Sequence, residues 1–297
     1  MVRLGTYSIV ARDPRTGELG AAVQSHFFSV GSVVNRARAG VGAVCTQSLV
    51  EPAYAPRLLD RMQAGESPGA ALAAELATDE RAAYRQVAAV SAAGEIAVHT
   101  GERCMAFAGD AQGPQFSCQA NLMASDRVWC AMTEAFTAAT GPLARRMFAA
   151  LEAGEAAGGD VRGRQSAALV VASAEGEAWR LAVDLRVEDH PEPLAELGRL
   201  LDVHDAYALA SEGDDLMGEG RHDEAGERFR QAAALAPTNH ELIFWSGLAA
   251  VHAGDMEAGL EQVRQAIAMQ PGWAELLPRL GTDIAPAAPA VSDALGL

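Results

Sequence analysis

The 297-residue chain contains no lysine; all 23 of its basic side chains are arginine. That absence excludes Schiff-base chemistry, pyridoxal-phosphate catalysis and a P-loop phosphate site, each of which needs an ε-amine. It also narrows the choice of proton acceptor. A guanidinium stays protonated near neutrality, so a general base must be a histidine, a carboxylate or a terminal amine. Cysteine is scarce as well. Cys45, Cys104, Cys118 and Cys130 show no CxxC spacing and read as free thiols, not as a disulfide frame or zinc site. No other ligand spacing or nucleotide motif is present, so neither a metal nor an organic cofactor is expected. No apolar run approaches bilayer length, and the first residues lack the basic-then-apolar pattern of a signal peptide. A cytoplasmic protein without membrane contact is the expectation.

Negative charge is in excess. The formal net charge is −16, and it is unevenly placed. Residues 1–199 carry 23 acidic and 18 basic side chains, whereas residues 200–297 carry 16 and 5. An acidic tail argues against nucleic-acid or anionic-membrane binding and favours solubility or a basic partner. With 49% hydrophobic and 21% charged residues, the chain has a globular profile and enough length for one large core plus a smaller domain.

The tail carries an internal repeat. Gly213, Gly220, Phe229, Ala232, Leu235 and Pro237 recur 34 residues later as Gly247, Gly254, Val263, Ala266, Met269 and Pro271. Small residues where two helices touch, with proline closing the second, resemble the tetratricopeptide repeat. Two repeats leave one helical face open, which predicts packing on the first domain or on a second subunit, with Trp245 and Trp273 as candidate contacts. The final segment, "GTDIAPAAPAVSDALGL", is expected to be loosely ordered.

The first 200 residues alternate differently. Thr6–Arg12 and Leu19–Ser25 read as strands joined by the turn Asp13-Pro14-Arg15-Thr16-Gly17. "SVVNRARA" and "GVGAVCTQ" give two more strands. Helices follow over Tyr54–Met62, stopped by Gly65, and after Ser67-Pro68 as cap and first position. Strands "YRQVAAVSA", "EIAVHTG" and "FSCQANLM" precede helices over Asp126–Ala139 and Pro142–Ala153. "QSAALVVASAEG" and "WRLAVDLRV" close the set as a hairpin. Both helical pairs need an apolar sheet face, so the economical packing is an α+β, four-layer αββα sandwich. The expected organisation is a sandwich domain over 1–200, a helical repeat domain over 201–282 and a tail over 283–297.

Four blocks in order, "TYSIVARDPRTGELGAAVQSHFFSVGSV", "AGVGAVCTQSLVEPAYAPRLLDRM", "GGDVRGRQSAALVV" and "VDLRVEDHPEPLAELGRLL", resemble a bacterial family catalogued as domain of unknown function 1028. The repeat tail resembles an extension found in part of that family. The family in turn looks like the amino-terminal-nucleophile (Ntn) hydrolases, which share the αββα sandwich. In that class the residue at the free end of the first strand attacks an amide carbonyl, and its own α-amine takes the proton. The resemblance implies Thr6 as that residue. If the residues before Thr6 remain, its nitrogen is an amide and cannot be a base. Thr6 is then only a β-branched strand-starter.

The resemblance also implies neighbours. Proteasome-like members place an acidic residue and later a lysine beside the nucleophile. Here those places fall near Gln24 and near Asn35 and Arg36, a departure that puts a proteasome-like mechanism in doubt. Ser25 and His26 end the second strand, and His26 is the acid/base candidate there. Backbone around Cys45, Thr46 and Gln47 is expected to serve the oxyanion and wall the pocket, with Cys45 itself a buried small thiol. Asp160 and Ser166 take roles near the amine, and Arg164 and Gln165 face the cleft. Arg36 or Arg164 would orient substrate. Asn121 has an amide suited to an oxyanion. Asp189-His190 looks like a catalytic pair, but it sits where a helix begins with Pro191 suited to the first position, so capping is the favoured reading.

Two functions follow from different classes. One is an Ntn-type hydrolase of a small amide, peptide or related C–N bond, without cofactor, assembled as a homo-oligomer or tied to a protein partner through its tail. The other is a catalytically silent scaffold of the same fold that binds a partner.

Overall fold

The amino-terminal hairpin shows how local chemistry sets register. In the computed structural model, which describes residues 5–297, β1 (Thr6–Arg12) and β2 (Leu19–Ser25) pair antiparallel from Thr6↔Ser25 to Arg12↔Leu19. Gly17, at φ 76°, closes the turn by donating its N–H to the Asp13 carbonyl at 2.8 Å, and the Asp13 carboxylate accepts the Arg15 N–H at 2.8 Å. A side chain with a β-carbon is disfavoured at that positive φ.

Among the described residues, ten antiparallel strands form two sheets. The larger has the order β10-β9-β2-β1-β8-β7, built from β7 (Gly109–Gly113), β8 (Phe116–Asn121), β9 (Ser166–Ala172) and β10 (Val183–Val187) with the first hairpin. The smaller has the order β3-β4-β5-β6, from β3 (Asn35–Arg38), β4 (Gly42–Ser48), β5 (Arg85–Ser91) and β6 (Ile96–Thr100). Val10, Ala21 and Val23 of the first hairpin meet Ala43, Cys45, Ala88 and Val90 of the smaller sheet in one buried cluster, so the sheets face each other. Alternation of side chains puts the other face of each sheet against helices.

On the smaller sheet, α1 (Tyr54–Gln63) buries Tyr54, Leu58, Leu59 and Met62, an i, i+4, i+8 stripe, against Val44, Val87 and Ala89. Each such side chain contributes roughly 1.5–3 kcal/mol by leaving water. α2 (Pro68–Thr78) starts as the sequence predicts: Ser67 Oγ accepts the Ala70 N–H and Pro68 takes the first turn. On the larger sheet lie α3 (Val128–Ala138) and α4 (Leu143–Ala156). Met147 and Leu143 of α4 fill the space beside Gly20, where an added β-carbon would sit 2.4 Å from Met147 Cε. The order through the unit is helices, sheet, sheet, helices.

The chain divides into two units, Met1–Gly198 and Arg199–Leu297, within α5 (Pro193–Gly218). Pro193, not Pro191, opens that helix. The second unit continues with α6 (His222–Leu235), α7 (His240–His252), α8 (Met256–Met269), α9 (Gly272–Leu276) and α10 (Ala288–Leu295). The 34-residue period has a packing cause. A β-carbon at Gly213 would meet the Phe229 ring at 3.0 Å, and one at Gly247 would meet Val263 Cγ2 at 2.9 Å. Gly220 and Gly254, at φ 75° and 96°, leave the first helix of each hairpin in the left-handed region.

The tail departs from expectation. Instead of being loose, residues 283–297 hold α10, and Ala285, Ala287, Ala288 and Val291 pack into the cluster of Ile243, Phe244 and Leu248. The chain's own end thus covers apolar surface that the repeat pattern left open. Trp273 is used inside this unit too, stacked on Phe244 at 4.4 Å and donating Nε1–H to His240 Nδ1 at 2.9 Å. Among the described residues no helix is long and apolar enough to cross a membrane.

Candidate active site

Register assembles the site. Asn121 pairs with Thr6, Thr6 with Ser25, and Ser25 with Ser166, so four polar residues of β8, β1, β2 and β9 form one row across the larger sheet. All four are fully buried. Directly opposed residues of antiparallel strands have β-carbons about 4.5–5.5 Å apart, close enough for their side chains to interact.

Thr6 Oγ1 donates to Ser25 Oγ at 3.1 Å, and Ser25 Oγ donates in turn to the Gly5 carbonyl. Arg162 Nη2 donates to the same carbonyl at 2.9 Å. The carbonyl one bond upstream of Thr6 therefore accepts from a hydroxyl and a guanidinium, while the Thr6 hydroxyl is one hydrogen bond away. Asp160 fixes this arrangement. Its carboxylate pairs with Arg162 Nη2 at 2.7 Å and accepts the N–H groups of His26 at 3.0 Å and Arg162 at 2.9 Å. It also crowds Gly5: an added β-carbon there would lie 2.8 Å from Asp160 Oδ2 and 2.9 Å from Arg162 Nη2.

Behind the row a buried amide network joins the two sheets. Gln119 Nε2 donates to Ser8 Oγ at 2.6 Å, and Ser8 Oγ donates to Gln47 Oε1 at 2.6 Å. Gln47 Nε2 donates to the Thr6 carbonyl at 3.2 Å and to Gln86 Oε1 at 2.8 Å. Asn121 Nδ2 reaches Gln86 Oε1 at 3.0 Å, which leaves Asn121 Oδ1 buried with no partner beside Thr6. A buried polar atom left unpaired costs about 1–3 kcal/mol, so this acceptor is the local debt of the network.

The other expected residues divide by strand face. Gln47 and Cys45 point between the sheets, but Thr46 points to the helices and donates Oγ1–H to the Glu51 carbonyl at 3.3 Å. Backbone of residues 45–47 is not offered to an oxyanion: β4 is flanked by β3 and β5, and the Thr46 N–H is held by the Val34 carbonyl at 3.0 Å. Burial, against a small opposing effect of Ser8 and Arg36, pushes the Cys45 thiol up to about 12, which keeps it an unreactive core thiol. Gln24 lies on the helix-facing side, beside Tyr7, fully buried with both amide atoms unpartnered.

His26 contributes its main chain and exposes its ring, whose Nδ1 lies 3.2 Å from the Arg164 carbonyl. Ser166 Oγ secures the segment after β2, accepting the Val30 N–H at 3.0 Å and donating to the Phe27 carbonyl at 2.5 Å. Arg36 is occupied by the carbonyls of Gly31, Ser32 and Asn35, and burial followed by repulsion from Arg186 lowers its pKa. Arg164 pairs with Glu155 at 2.6 Å and with Glu192, and Gln165 Nε2 donates to Asp189 Oδ1 at 3.1 Å. His190 accepts the Glu192 N–H at 3.0 Å, a local turn before α5.

Sequence reasoning missed Arg162, Gln86, Gln119 and Ser8. Ser8 and Gln119 carried a readable signal, since Thr6/Ser8 and Ser117/Gln119/Asn121 are polar at alternate positions in otherwise apolar strands, whereas Gln86 follows Arg85 directly and carries no such alternation. Arg162 sits in an irregular Gly-rich loop where no period applies. Among the described residues no group of three or more His, Cys, Asp or Glu side chains could hold a metal ion.

Two antiparallel sheets packed face to face, flanked by helices and carrying a buried polar row at one end of the larger sheet, define a mixed α+β class of protein. Within that class the chain belongs to the family of unknown function DUF1028, which matches residues 6–197. It is similar to the crystal structure of protein SPO2555 from Silicibacter pomeroyi, described by the same family, with 32% identity and a TM-score of 0.61 over 67% of this chain and 88% of that one. No curated protein matches the sequence significantly.

Proposed function

We propose that the first unit is an Ntn-type hydrolase of a small amide, peptide or related C–N bond, and that Thr6 becomes its nucleophile when the Gly5–Thr6 bond is cut. The observation that carries this reading is the Gly5 carbonyl, which accepts from Ser25 Oγ and Arg162 Nη2 with the Thr6 hydroxyl bonded to Ser25. The order of helices, sheet, sheet and helices supports the same fold class.

Self-cleavage uses those contacts. Thr6 Oγ1 adds to the Gly5 carbonyl carbon, and the oxygen that gains negative charge is the one already held by Ser25 and Arg162. The C–N bond breaks with proton transfer to nitrogen, leaving an ester to Thr6 and a free amine. Water hydrolyses the ester, releasing a carboxylate at Gly5. The freed α-amine, with an ordinary pKa of about 7.7–8.0, supplies the base that a lysine-free chain otherwise lacks. A substrate carbonyl then takes the place of the Gly5 carbonyl. Thr6 Oγ1 attacks it, the amine relays the proton to the leaving nitrogen, and water hydrolyses the acyl ester. Asn121 Oδ1 is a ready acceptor for an N–H of that amine.

Intact-mass measurement with amino-terminal sequencing tests the reading. Thr6 as the mature terminus, together with full-length mass for T6A, is the expected result. An uncut wild-type chain incubated to completion removes the Thr6 mechanism. It favours the rival, a catalytically silent binding scaffold, for which the full burial of Thr6 and its amide nitrogen speak. The 34-residue packing period supports a tetratricopeptide-like second unit, used for homo-oligomer assembly or for a protein partner.

A further inference from the structure

The second unit contains a cavity of about 580 Å³, lined by α5, α6, α7 and the segment before α10. Sites for small molecules run to about 300–1,000 Å³ and combine apolar walls with a few placed polar groups. Tyr207, Phe229 and Trp245 supply aromatic surface here, and the rings of His222 and His252 meet edge to face at 4.4 Å along one wall. Three carboxylates, Asp214, Glu241 and Asp283, line the same space, and no arginine does. Glu241 is engaged with the Tyr207 hydroxyl at 2.5 Å. Asp214 and Asp283 form no ion pair among the described residues.

From the cavity, its aromatic walls and the uncompensated carboxylates of Asp214 and Asp283, we propose that this cavity binds a small organic cation, an amine or guanidine on an apolar body. Carboxylates attract the charged head, and aromatic faces receive both the apolar body and the cation. Partial loss of solvent at the cavity wall, and next the neighbouring Asp215, hold the Asp214 carboxyl above its ordinary range although the residue is exposed. A bound cation offsets that repulsion. The acidic balance of residues 200–297 adds attraction over a longer range. This site is independent of Thr6 and of the hydrolase reading.

The test is titration calorimetry of the full-length chain with 2-phenylethylamine and its neutral counterpart 2-phenylethanol. The amine is expected to bind at least about tenfold tighter than the alcohol, a preference of about 1.4 kcal/mol. Because Asp214 and Asp283 are exposed, a D214N/D283N chain should fold normally, with a thermal midpoint no lower than wild type. In that variant the preference is expected to fall below about threefold while alcohol binding is unchanged. W245A provides the second arm and should weaken both ligands. Equal binding of amine and alcohol, absence of binding by the amine, or an unchanged preference in the folded double variant overturns the proposal. So does an arginine-rich hexapeptide that binds wild type tenfold tighter than the amine, since that outcome assigns the cavity to a peptide.

Discussion

Gly5 has hydrogen where any other residue would carry a β-carbon, and the space that carbon needs is filled by Asp160 and Arg162. Neither can step back cheaply. Asp160 is pinned by the His26 and Arg162 N–H groups, and Arg162 is pinned between Asp160 and the Gly5 carbonyl. If the chain cuts itself here, G5A is expected to slow appearance of the Thr6 terminus at least about tenfold, read by intact mass over time. R162Q removes one of two donors to the developing oxyanion and should slow the same step by about 10²–10³. Wild-type rates in both variants would place the cleavage chemistry elsewhere. Cys45 makes an independent check on the assignment of the nucleophile. Since burial raises its thiol to about 12, and Cys118 likewise, iodoacetamide at pH 8 should label exposed Cys130 but neither buried thiol until denaturant is added. Peptide mapping reads the result.

At the scale of elements, legibility followed the strength of the period. Both sheets' central strands, the Ser67 cap and the paired helices were readable because alternation, capping chemistry and i, i+4 stripes are local. β7, "GDAQG", was not readable: it carries no β-branched or large apolar residue and exists through pairing with β8 and the approach of Trp129 to Gly109. α10 was hidden by alanine and proline, whose burial against Ile243 and Phe244 only tertiary contact reveals. Individual site residues came from resemblance and alternation, but their adjacency is a product of register, which one sequence does not print. The helical repeat offers a matched test of this packing logic. A β-carbon at Gly247 would meet the Gly259 carbonyl at 2.8 Å, whereas Gly226 of α6 has nothing within 4 Å. G247A is expected to destabilise by about 1–3 kcal/mol through overpacking, and G226A to stabilise by about 0.5–1 kcal/mol through helix propensity. Denaturant midpoints with unchanged slopes check both, and equal effects would show that the two glycines share one role.

Across the whole molecule the charge of −16, concentrated in residues 200–297, sets how stability responds to salt and pH. The exposed ion pairs of the chain, such as Arg221 with Glu219 and Glu224, contribute little each, so unscreened repulsion among unpaired acids outweighs them. Asp214 reports that repulsion, with its carboxyl raised by desolvation and by Asp215. An acid whose folded pKa lies above its unfolded value destabilises the fold when charged. Its cost is full above the folded pKa and vanishes as pH falls to the unfolded value near about 3.9. Asp79 titrates in the opposite sense. Burial alone would raise it, but hydrogen bonds from Arg85, Arg81 and Tyr54 outweigh burial and lower it, so its stabilisation is lost as pH falls below about 4. The thermal midpoint at pH 7 should therefore rise between 10 mM and 500 mM NaCl, as the screening length shortens from about 30 Å to a few ångströms. D214N should raise the midpoint at 10 mM salt, raise it less at 500 mM, and leave it unchanged near pH 4, where Asp214 takes up its proton. Differential scanning fluorimetry of the two chains across that grid decides it. A midpoint that falls with salt would mean that attractive pairs, not repulsion, dominate the acidic unit.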